Sequence, residues 1–181
     1  MNILVVGGAG YIGSHMVKLL GRRGCHVTTL DDLSSGHRDT VLAGDFIQGD
    51  MADAALLRNV FATRPYDAVM HFASFIEVGE SVREPAKYYR NNVANTLTLL
   101  AAMREAGVDR FIFSSTAAIF GTPQYVPIDE RHPRAPINPY GRTKNMVEDV
   151  LADYAQAYGL CSVCLRYFNA AGADPDGELG E

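Results

Sequence analysis

The chain has 181 residues, 48% hydrophobic and 20% charged, with a formal net charge of −5. This is the profile of one globular domain with ample core, and it excludes a disordered chain. The negative balance argues against nucleic-acid and anionic-membrane partners, so an anionic ligand has to be held by local dipoles and a few placed cations. No apolar stretch approaches the roughly 18 residues of a membrane span. Met1-Asn2 leads into Ile3-Leu4-Val5-Val6 without the basic start of a secretory signal, and a cytoplasmic location is the default expectation.

In chain order, short apolar runs at 2–6, 26–30, 45–48, 67–72, 110–114 and 161–168 read as strands. Between them, 11–23, 53–63, 85–106 and 139–158 place apolar residues at three- and four-residue spacing, and each is long enough to cross over between parallel strands. The expectation is an α/β fold, a Rossmann-like doubly wound parallel sheet in a single domain over 1–181. The two long helices are apolar over broad faces, including Tyr89, Val93, Leu97, Leu100 and Met103, and part of that surface is expected to meet a second subunit as a homodimer.

The first strand-to-helix junction reads VVGGAGYIGSH, with Gly7, Gly10 and Gly13 where a sharp turn and a close ligand need residues without Cβ. The helix beginning near Tyr11 points its unpaired N–H groups and its dipole at the turn, and a pyrophosphate is the anion that matches. Asp31 closes the second strand eighteen positions after Gly13, where a carboxylate accepts hydrogen bonds from an adenosine ribose. That selects NAD. Arg38 keeps NADP as the minority reading, and the bland alternative is that Asp31 merely caps a turn.

A second constellation joins SSTAAIFG to NPYGRTK. Ser114, Ser115 and Thr116 end a strand, while Asn138 and Pro139 suit a helix N-cap and its first position, so that Tyr140 and Lys144 share a face of the opening turns. A neighbouring ammonium and the positive helix end favour phenolate, which makes Tyr140 a candidate general base with a lowered pKa. Thr116 is placed to orient the reacting oxygen. The competing reading is a surface ladder, Tyr140-Lys144-Glu148, with Lys before Glu in the less favourable order.

The cysteines, Cys25, Cys161 and Cys164, are odd in number, which disfavours a disulfide framework. Cys161-Ser-Val-Cys164 falls in a strand-like run that sends side chains three apart to opposite faces, and it reads as a buried strand rather than a redox or zinc motif. His15, His26, His37, His71 and His132 show no ligand spacing, and no metal site is expected. The last residues, from Gly172, have the Gly-, Pro- and acid-rich composition of an exposed loop.

With GGAGYIGSH, LDDLSSGH, GDM, HFASFIEVGESV, YYRNNV, FIFSSTAAIFG, NPYGRTK and LRYFNAAGADPDGELGE in this order, the whole chain resembles the extended short-chain dehydrogenase/reductases, most nearly their bacterial UDP-glucose 4-epimerase branch. The resemblance implies backbone contact of Tyr11 and Ile12 with the NAD pyrophosphate, Asp31 on the ribose, and Asp50 and Met51 beside the adenine. Phe72, Ala73 and Asn91 would line the remainder, with Phe168 near the nicotinamide. It further implies Tyr140 as base for the sugar 4-hydroxyl, Lys144 on the nicotinamide ribose, Thr116 bridging to substrate, and Asn169 on a phosphate of the UDP-sugar. The chain departs at Ile76, where some relatives carry a lysine directed at the cofactor. Ala117 and Ala118 supply no extra acid or base beside Thr116, which sets a dehydratase below an epimerase for this or another nucleotide sugar. The family's smaller C-terminal lobe does not follow in these 181 residues, which leaves an NAD-binding fragment without catalysis as the alternative of another class.

Overall fold

A computed structural model describes residues 1–180; Glu181, which ends both the expected domain and the GELGE motif, lies outside the described residues. Six parallel strands form one sheet: β1 (Asn2–Val6), β2 (His26–Asp31), β3 (Asp45–Gln48), β4 (Ala68–His71), β5 (Arg110–Ser114) and β6 (Cys161–Leu165). Their order is β3-β2-β1-β4-β5-β6. The winding direction reverses between β1 and β4, which pair with Val6 opposite His71, so a crevice opens beyond the carboxyl ends of these two strands.

Alternation along β1 explains the layering. Ile3 and Val5 face α1 (Tyr11–Arg22) through Val17, while Leu4 and Val6 join the larger cluster on the opposite face. That cluster takes Leu57 and Phe61 from α2 (Ala54–Thr63), Leu99 and Met103 from α5 (Asn95–Glu105), and Val147 and Leu151 from α6 (Pro139–Tyr158). Asp53, placed in α2 by the periodicity, is its N-cap and accepts from the amides of Ala55 and Leu56.

Several boundaries differ from expectation. The helix expected over 85–106 is built in three pieces: α4 (Pro85–Tyr88), a π-helical turn at Tyr89–Ala94, and α5. One helix, α3 (Val78–Arg83), was not anticipated, because six residues carry too little periodicity. The strand expected to run to 168 stops at Leu165. β6 is an edge strand, and Cys161 and Val163 are exposed, so the run is a strand but not a buried one. All three cysteines are free. Of the five residues named for the broad apolar faces, Leu100 and Met103 are in the core, Tyr89 and Val93 are half-buried and Leu97 is exposed. No helix among the described residues is long and apolar enough to cross a membrane.

Candidate active site

The crevice at the strand ends is an open groove, lined in part by Gly7, Gly10, Asp31, Asp50, Met51, Phe72, Ala73 and Asn91. The glycines do different work within it. Gly7 lies at φ +80°, and a Cβ there would strike the backbone of Phe72 and Ala73, so the turn and the β4 loop touch through it. Gly13 is buried under the Gly7 carbonyl, where a Cβ would collide; it closes the helix against the turn rather than facing a ligand. A Cβ at Gly10 would meet only the Gly7 carbonyl, at 3.6 Å, which leaves the face toward the groove open. Gly10 caps α1 without a side-chain hydrogen bond, and the first turn holds no acidic residue. The N–H groups at Tyr11 and Ile12 thus start a helix whose positive end has no protein partner supplied by a cap.

Asp31 is buried and accepts from Ala9 N and Leu33 N, both at 2.9 Å. It therefore fixes both loops that rim the groove and still lines it, so the turn-capping role and a ligand-facing role coexist. Asp32 lines the groove beside it, whereas Arg38 lies over the Phe46 ring, 4.5 Å from its centroid, outside the lining. Ser34, Ser35, Gly36, Gly49, Ser74 and Phe75 also line it and were not named as site residues from the sequence. The usable signal was positional, because each follows the carboxyl end of a strand.

α6 begins as the sequence indicates. Asn138 Oδ1 accepts from Gly141 N at 2.8 Å, and Pro139 occupies the first turn. Gly141 packs on Ala118, whose carbonyl a Cβ would meet, and this brings Tyr140 to Thr116. Thr116 is buried and accepts from Ala118 N at 3.1 Å. Tyr140 is half-buried. Burial pushes its phenol pKa up, and a hydrogen bond from Thr116 pulls it down, with the upward effect prevailing. The lowered pKa expected for Tyr140 is thus corrected, because burial outweighs the hydrogen bond from Thr116.

The cation expected beside it is Lys144, 1% exposed. Its Nζ donates to Ser74 Oγ and to the Ser114 carbonyl, both at 2.8 Å, and lies 4.8 Å from the Phe113 ring centroid and 6.0 Å from that of Tyr140. Burial lowers its pKa to about 7. His71, wholly buried beneath it, is held down to about 3, by burial and then by the lysine's charge. The surface ladder is excluded. Glu148 is buried, accepts from Ser115 Oγ, and takes a two-pronged pair from Arg166, with Nη2 to Oε2 at 2.7 Å.

The π-helical turn places Asn91 on the groove and Asn92 behind it. Asn92 accepts from Phe75 N at 2.9 Å, and donates to Phe75 O at 3.0 Å and to Thr143 Oγ1 at 3.2 Å, tying the β4 loop to α6. Phe168, 69% exposed, and Asn169, also exposed, are not brought into the groove. Ile76 is exposed as well.

A six-stranded parallel sheet of this order, with a glycine turn and an acidic second-strand end around one crevice, defines a Rossmann-type nucleotide-binding domain. The chain belongs to the NAD dependent epimerase/dehydratase family, which it matches over residues 3–180. It is 55% identical over 180 residues to a UDP-glucose 4-epimerase of Rhizobium leguminosarum bv. trifolii, covering 99% of this chain and 55% of that protein. Among solved structures it superposes on the Brucella ovis UDP-glucose 4-epimerase in complex with NAD at a TM-score of 0.98, with 55% identity, covering 99% of this chain and 55% of that one. The Bifidobacterium longum UDP-glucose 4-epimerase, in complex with NAD+ and UDP, gives 0.95 and 39% identity, covering 100% and 57%. The chain spans about half the length of the curated relatives it matches.

Proposed function

We propose that residues 1–181 form the NAD-binding domain of a UDP-glucose 4-epimerase, with Thr116, Tyr140 and Lys144 as its catalytic residues. The observation that carries this reading is Lys144. It bonds Ser74 in the wall of the groove and Ser114 at the strand end that presents Thr116, and so joins the groove to the tyrosine beside Thr116.

The groove fits NAD on the chemistry of its donors. The uncapped start of α1 offers N–H groups for the pyrophosphate at Tyr11 and Ile12, over the open face of Gly10. Asp31 takes the ribose, and the adjacent Asp32 opposes a 2′-phosphate, which favours NAD over NADP. Asp50, Met51, Phe72, Ala73 and Asn91 line the rest. When bound, NAD supplies a hydride acceptor that later returns the hydride. Tyr140 takes the proton of the sugar 4-hydroxyl and gives it back, and Thr116 orients that oxygen. Lys144 would hold the nicotinamide ribose, and its charge, 6.0 Å from the Tyr140 ring, would favour phenolate. The chemistry so supplied would invert one carbon and interconvert UDP-galactose and UDP-glucose. Phe168 and Asn169 would serve the nicotinamide and a UDP phosphate after moving toward the groove.

The same assignment places the chain in the cytoplasm with its nucleotide substrates, and as a homodimer through the outer faces of α5 and α6, where Leu97 and Met146 are exposed. Calorimetric titration with NAD and NADP, together with conversion of UDP-galactose to UDP-glucose, tests the assignment. A second reading, cofactor binding without turnover, is favoured by the exposure of Phe168 and Asn169.

A further inference from the structure

Tyr11, Lys18 and Arg22 fall on one stripe of α1, and all three hold the segment that follows β6. The Tyr11 hydroxyl donates to the Gly172 carbonyl at 2.6 Å. Lys18, buried in its side chain, pairs with Asp174, with Asp176 at 2.9 Å and with Glu178 at 2.6 Å, while Arg22 pairs with Asp176. The segment is itself folded: Asp174 N donates to the Leu179 carbonyl at 2.9 Å, and Asp174 and Leu179 are buried. The segment is the exposed loop expected from composition, docked through Asp174 and Leu179, with one lysine gathering three carboxylates that would otherwise repel one another. Burial works against the Lys18 ammonium, but the carboxylates outweigh it and raise its pKa above the usual lysine range.

The placement of this clamp links two parts of the site. Gly172 lies three positions beyond Asn169 and four beyond Phe168. One end of the 166–171 span is fixed by β6 in the sheet, and the other by α1, the helix whose first turn faces the groove. We propose that Lys18 is a positioning residue, which transmits occupancy of the pyrophosphate turn to the segment bearing Phe168 and Asn169. This rests on the assignment of NAD to the start of α1. A dinucleotide there orders the first turn and Tyr11, and the clamp carries that order to residues 166–179.

Amide hydrogen exchange of the whole chain, with and without NAD, tests the link in the wild type, in Lys18→Met, and in the double variant Asp176→Asn with Glu178→Gln. The double variant changes only exposed carboxylates and keeps the test open if Lys18→Met does not fold. In the wild type NAD should slow exchange by about 5- to 10-fold over 166–179 as well as over 31–36. In either variant the NAD-dependent protection of 166–179 should fall below about 2-fold while that of 31–36 persists. A general loss of packing would raise exchange without removing that ligand-dependent difference. Protection of 31–36 with none over 166–179 in the wild type, or equal protection over 166–179 in the variants, overturns the role of Lys18. No protection of 31–36 in the wild type overturns the NAD assignment itself, and the proposal with it.

Discussion

Replacing Lys144 by Met should alter stability in a way that depends on pH, and the sign follows from its burial. The unfolded lysine titrates near 10.4 and the folded one at about 7, so unfolding takes up a proton between these values. Wild-type stability therefore falls as pH drops from about 10 toward 7 and levels off below 7. The slope approaches about 1.4 kcal/mol per pH unit, and the whole span is on the order of 5 kcal/mol. The two acceptors, Ser74 Oγ and Ser114 O, match the two N–H bonds of a neutral amine, which is consistent with easy loss of the third proton. Met fills most of the same volume, lacks the titration, and leaves both acceptors unpaired, a pH-independent cost of about 1–3 kcal/mol for each group. Urea denaturation of both proteins at pH 7, 8 and 9 isolates the lysine, since every other titrating group is shared. The wild-type advantage should widen as pH rises. Parallel stabilities across this range would refute the argument that burial dominates at Lys144.

Tyr140→Phe should reduce any epimerase turnover by about 10²- to 10⁴-fold and leave NAD affinity nearly unchanged, because proton transfer alone is lost; unaltered turnover removes the base. Asp31→Ala should weaken NAD binding and narrow discrimination against NADP, and calorimetry showing equal NAD and NADP affinity in the wild type would contradict the ribose assignment. Gly13→Ala should destabilise the chain by about 1–3 kcal/mol through collision with the Gly7 carbonyl, read as a shift of the urea midpoint; an unchanged midpoint would show that the turn yields freely. The chain alone should bind NAD yet convert UDP-galactose slowly or not at all, since Phe168 and Asn169 stand outside the groove, and turnover matching a full-length relative would defeat that expectation.

The strands and crossovers were legible because each is a short periodic run bounded by turn residues, and this pattern is local. Solvent exposure was less legible, since it depends on neighbours. Cys161 and Val163 alternate along an apolar run like residues of an inner strand, but among the described residues β6 pairs with β5 alone. Leu97, Leu100 and Met103 belong to one broad apolar face in sequence, and only the packing of α5 shows that Leu100 and Met103 are in the core while Leu97 is exposed. The acidic tail is the mostly exposed loop its sequence suggests, but its docking was not legible. Its composition is that of a loop, and only a lysine 156 positions earlier turns Asp174 inward.

The same distinction runs through the site. Spacing alone brought Tyr140 and Lys144 to one helix face, but it implied that the ammonium would act on the phenol. In the structure the shortest path for a buried Nζ is to backbone and hydroxyl acceptors, and Lys144 takes Ser114 O and Ser74 Oγ instead. Tyr140 is left governed by burial, which the helix spacing does not register, so its pKa rises.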